Sequence, residues 1–90
     1  MALARVVSFE DVSPQRMAEM AASNPPEGLP PAEVTILHDP EARRALALIV
    51  FESEEDYARG DTILAAMPEA ETPGRRTSVA KYEVAVRQRT

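Results

Sequence analysis

Ala45-Leu46-Ala47-Leu48-Ile49-Val50-Phe51 is apolar at every position, where a strand on a half-solvated sheet alternates apolar with polar. In an extended chain Leu46, Leu48 and Val50 point one way and Ala47, Ile49 and Phe51 the other, so both faces of this stretch need cover. It lies within a third strand that reads from Arg43 to Glu52. Upstream, Glu33 to His38 reads as a second strand and Asp39-Pro40-Glu41-Ala42 as the turn, which makes a hairpin at the centre of the chain.

On the N-terminal side, Leu3 to Phe9 is β-branched and aromatic enough for a first strand, closed by Asp11 and Ser13. Ser13-Pro14 opens a helix to about Ser23: the serine oxygen caps a free amide, and proline suits the first helical position, where an N–H has no partner. Met17, Met20 and Ala21 form its apolar side. Asn24 to Pro31 holds four prolines in eight residues, too few amide donors for a sheet, and reads as a stiff connector.

On the C-terminal side, Ser53 is followed by Glu54, Glu55 and Asp56, a cap and then carboxylates where the helix dipole favours negative charge. The second helix runs to about Met67, with Tyr57, Leu64 and Met67 inward, Gly60 as a weak point of about 1 kcal/mol relative to alanine, and Pro68 as its stop. Glu69 to Arg76 reads as a loop and Thr77 to Gln88 as the last strand, through Val79, Tyr82, Val84 and Val86. The order β-α-β-β-α-β over residues 1–90 is that of a single α+β, ferredoxin-like domain: a four-stranded antiparallel sheet with two helices on one face. Its second face then has only a second copy of the chain to cover it, and a two-fold homodimer is the expectation. The competing arrangement folds long side chains such as Arg5 and Lys81 over the open face.

Composition narrows the function classes. Fifteen acidic against ten basic side chains give a formal charge of −5, which repels a phosphate backbone, and two tyrosines, two phenylalanines and no tryptophan give no stacking platform; nucleic acid is not expected as a partner. There is no cysteine for a disulfide, thiolate or cluster. No run approaches the length of a membrane span, and Met1 to Phe9 lacks a secretory pattern, so no membrane contact and a cytoplasmic location are expected.

The order of elements, the all-apolar third strand and the run Phe51-Glu-Ser-Glu-Glu-Asp-Tyr-Ala-Arg-Gly60 resemble the dimeric α/β-barrel superfamily, which includes antibiotic-biosynthesis-monooxygenase-like proteins and many small bacterial ones. The resemblance implies two ferredoxin-like subunits packed sheet against sheet, with a small apolar cavity between sheet and helices in each. Tryptophan recurs in the better understood enzymes of that group together with asparagine and histidine, and its absence here argues against cofactor-free oxygenation or haem degradation.

Few side chains offer chemistry. His38 is the only histidine, the one candidate for proton transfer near neutral pH, although its place beside Asp39-Pro40 also suits a turn. One histidine without converging carboxylates makes no metal site, and no phosphate loop or nucleophile-base set is present, so neither metal nor cofactor is expected. Arg75 and Arg76 can hold a carboxylate or phosphate through forked donors, or sit solvated beside Glu69 and Glu71. The expected ligand site is an apolar pocket between sheet and helices lined by Phe9, Ile36, Phe51, Tyr57, Leu64 and Tyr82, taking a small apolar or aromatic molecule. A monooxygenase-like enzyme and a non-enzymatic protein-interaction module are the alternatives.

Overall fold

The computed structural model describes every residue from Met1 to Thr90. Strand β1 (Leu3–Glu10), helix α1 (Pro14–Ala22), strands β2 (Glu33–Asp39) and β3 (Arg44–Phe51), helix α2 (Glu54–Ala65) and strand β4 (Arg75–Glu83) follow one another, with a single 3₁₀ turn at Glu69–Glu71 before β4. The strands form one antiparallel sheet in the order β2-β3-β1-β4, the ferredoxin-like arrangement expected. The two strands richest in apolar residues are thereby central.

Each helix begins as its capping serine dictates. Ser13 Oγ accepts from the Arg16 amide at 3.1 Å and Ser53 Oγ from the Asp56 amide at 3.1 Å. Pro40 to Arg43 forms the tip of the β2–β3 hairpin. Arg43 takes a left-handed φ of 55°, and the Asp39 carboxylate accepts from the Ala42 amide and from Arg44 Nε, both at 3.2 Å. These bonds, the amide first and the arginine second, hold the Asp39 carboxyl below its ordinary value.

Register settles which residues face the helices. Leu3, Arg5, Val7 and Phe9 of β1 oppose Phe51, Ile49, Ala47 and Ala45 of β3, and these eight are buried. Alpha2 lies on this pair, burying Tyr57 and Gly60. A Cβ on Gly60 would overlap the ring of Phe51, so glycine here is what lets the helix approach a fully buried aromatic. Helix α1 has no buried residue and stands off the sheet, with Met17 and Met20 half-buried and Ala21 exposed.

Beta4 differs from the expected range. It starts at Arg75, inside what reads as loop, and ends at Glu83 rather than Gln88. Glu83 pairs with Leu3, the first residue of β1, so residues 84–90 have no strand left to pair with. The Val84 amide still donates to the Ala2 carbonyl at 3.0 Å, and beyond it Arg87 reaches Glu52 at 3.1 Å and Glu33 at 3.3 Å. Val79 and Tyr82, three residues apart, fall on opposite faces of the sheet.

The face away from the helices carries Ala4, Val6, Leu46, Leu48, Val50, Leu37, Ala80 and Tyr82, with Leu46 39%, Leu37 51% and Tyr82 58% exposed. Arg5 and Lys81 do not fold over it. Both lie on the helix side, where Arg5 Nε donates to Asp61 at 2.8 Å and Lys81 pairs with Glu54 and sits 4.8 Å from the centre of the Tyr57 ring.

Candidate functional site

The gap that α1 leaves is a cleft of about 340 Å³ between the sheet and the helices. Its floor is Val7 and Phe9 of β1, Ala47 and Ile49 of β3, and Val34 and Ile36 of β2. Met20 from α1 and Leu64 and Met67 from the region of α2 form the sides, and Pro25, Pro26 and Leu29 of the connector close over it. The connector can do this because its prolines have no amides to satisfy in a ladder, while Gly28, at φ 83°, lets it turn back towards β2. Methionines at the rim suit a site that adapts to its occupant.

Three charged side chains line this cleft: Arg5, Glu71 and Arg76. Arg76 gets there through a bulge. Ser8 pairs with Ser78 but Phe9 with Arg76, so Thr77 is the extra residue, and the shift puts Arg76 instead of Thr77 on the helix side. Its Nη groups lie 3.5 Å from the Leu64 and Ala65 carbonyls at the end of α2, and no carboxylate is within ion-pairing distance. Arg75 points elsewhere, to Glu10 at 3.4 Å and Asp11 at 3.2 Å. The two neighbouring arginines therefore differ in role: one is spent on surface ion pairs, the other looks into the cleft. Arg16 braces the rim by donating from Nη2 to the Glu69 and Thr72 carbonyls at 2.6 and 2.7 Å.

Of the residues expected to line a pocket, the fold brings Phe9, Ile36 and Leu64 together in the cleft. Phe51 and Tyr57 pack edge to face, 5.8 Å between ring centres and 78° between planes, in the adjoining core beneath α2. Burial first, then the Asp61 carboxylate, push the Tyr57 hydroxyl above its ordinary pKa. Tyr82, opposite Ala4, lies on the other face of the sheet and cannot reach the cleft. His38 is inside β2 rather than in the turn, across from Ala45 on the helix side, and its buried Nε2 has no hydrogen-bond partner. It borders a separate depression at the end of the sheet with Glu10, Asp39 and Arg44. No three histidines, cysteines or carboxylates are grouped so as to hold a metal ion.

Sequence reasoning missed Arg5. Its signal was parity: Leu3, Arg5, Val7 and Phe9 share one face, so a charge at position 5 of an inward-facing row must meet a partner beneath the helices. The connector is more than a spacer: Leu29, between its proline pairs, is an apolar residue that finds its cover over the cleft. No helix is long and apolar enough to cross a membrane. Comparison with protein-family models, with curated proteins and with solved structures found no match.

Proposed function

We propose that this chain is a homodimeric small-molecule-binding protein: two copies pack through their open sheet faces, and each holds a small apolar or aromatic molecule between sheet and helices. The observation that carries the binding reading is the cleft itself, about 340 Å³ in a chain with only 15 buried residues, floored by aliphatics and roofed by a proline-rich segment. This is within the size range of sites that enclose small ligands, and its few polar groups converge on an apolar body. Phe9, Ile36 and Leu64 supply contact surface in this reading.

Surface area supports the dimer. A compact monomer of 9.9 kDa exposes about 5,200 Å² by the usual scaling with mass, whereas this chain exposes 6177 Å². The excess, on the order of 1,000 Å², is shared among the open sheet face, the cleft and the unpaired residues 84–90, and a stable dimer buries roughly 800 Å² on each partner. The open row of Leu37, Leu46, Leu48 and Val50 supplies the apolar part of such a contact.

Native mass spectrometry of the untagged protein, purified gently at micromolar concentration, tests both parts together. The expected spectrum is a two-chain species carrying an additional mass of a few hundred daltons, or gaining one when small aromatic compounds are added. Two chains that stay bare against a broad set of apolar compounds, with no thermal stabilisation by any of them, would remove the binding reading.

A further inference from the structure

The charge in the cleft is not where a purely apolar ligand needs it. Arg5 is 3% exposed, in the middle of the central strand β1, and lines the cleft beside Val7 and Ile49. Burying a guanidinium is costly unless its charge and its donors are met. Asp61, on α2, meets part of that requirement: it accepts a single hydrogen bond, from Nε at 2.8 Å, and is itself 46% exposed in its side chain. The two Nη groups donate to no atom of the chain and, unlike His38 Nε2, are not sealed from solvent, so they remain reachable. Their four N–H donors include the end-on pair that matches the two oxygens of a carboxylate.

We propose that the ligand of this cleft is an apolar carboxylic acid, its carboxylate held end-on by the Nη1 and Nη2 groups of Arg5 and its hydrocarbon or aromatic body on Val7, Ile36, Ile49 and Leu64. This rests on the reading of the cleft as a binding site. The cleft lining carries two arginines against one glutamate, and Asp61 offsets Arg5 from outside that lining, so the support for an acid is the unoccupied end-on pair of donors on Arg5. Arg76 lies about 13 Å along β1 from Arg5, four residues at about 3.3 Å each, and so guards the opposite end of the cleft. A single small ligand engages Arg5, and Arg76 adds only a long-range attraction.

The test uses naphthoate and its neutral amide, naphthamide, titrated into the full-length protein by calorimetry. They differ only in the group that meets the cation. The wild type is expected to bind naphthoate about tenfold or more tightly than naphthamide, as a charge-assisted pair in a partly dry site requires. Arg5→Met is expected to abolish that preference, weakening naphthoate about tenfold or more and naphthamide far less. If Arg5→Met does not fold, Asp61→Asn provides the second reading: with the competing carboxylate neutralised, naphthoate affinity rises several-fold and naphthamide affinity stays unchanged. Equal affinity of the wild type for both compounds overturns the carboxylate assignment and leaves the cleft as a neutral apolar site. A preference that survives Arg5→Met and vanishes in Arg76→Gln overturns the assignment to Arg5. Binding of neither compound overturns the cleft reading and this one with it.

Discussion

Gly60 and Phe51 show how single residues set the fold's tolerances. On helix propensity alone, Gly60→Ala gains about 1 kcal/mol. The added methyl meets the buried Phe51 ring, however, and overpacking of that kind costs about 1–3 kcal/mol. The variant is therefore expected to be less stable than the wild type in urea denaturation; a rise in midpoint would mean that α2 sits farther from the sheet. Asp39 makes the opposite sort of prediction, through protons. Its folded pKa lies below the ordinary 3.8, so the stability it contributes is present above that value and is lost as pH falls through the lower, folded one. The difference in stability between wild type and Asp39→Asn should be constant near neutrality and shrink only below about pH 4; a difference that persists at the acid extreme would show that charge is not its source. At this scale the sequence was readable where one side chain has one local duty, as with Ser13, Ser53 and Pro14. It was not readable for Arg76, because one bulged residue at Thr77 changes which neighbour of β4 looks inward, nor for Tyr82, whose face is set by its pairing with Ala4.

Elements followed from periodicity wherever their partners were close in sequence. The β2–β3 hairpin and both helices lie where caps, turn residues and apolar spacing put them, within two residues at each end. The capping claim is directly testable: Ser53→Ala removes the acceptor for the Asp56 amide and should cost about 1 kcal/mol in urea denaturation, whereas an unchanged midpoint would assign the helix start to the following carboxylates alone. The C-terminal limit of β4 depends on where β1 begins, some eighty residues away along the chain, and no local pattern in Val84 to Gln88 reports that. The cleft was legible only in outline for the same reason. That helices cover one face of the sheet follows from patterning; that α1 stands off, and that the connector folds back as a roof, depends on packing among segments that are distant in sequence.

For the whole molecule, the decisive feature is a central strand with two apolar faces, one buried by α2 and the other left open. The long side chains of Arg5 and Lys81 do not shield the open face, because they are committed to Asp61 and Glu54 on the helix side. A second copy meeting this face sheet to sheet would bury Leu37, Leu46 and Leu48 without disturbing the cleft, which opens on the opposite side of the sheet. Leu46→Lys places a charge on that open face while leaving the helix-side core intact. Sedimentation equilibrium at tens of micromolar, on wild type and Leu46→Lys side by side, tests this directly. The expected result is a wild-type mass near twice the 9.9 kDa chain and a shift towards the single-chain mass in the variant with its circular dichroism unchanged. A wild type that sediments as one chain would contradict the claim that the open face is a contact surface.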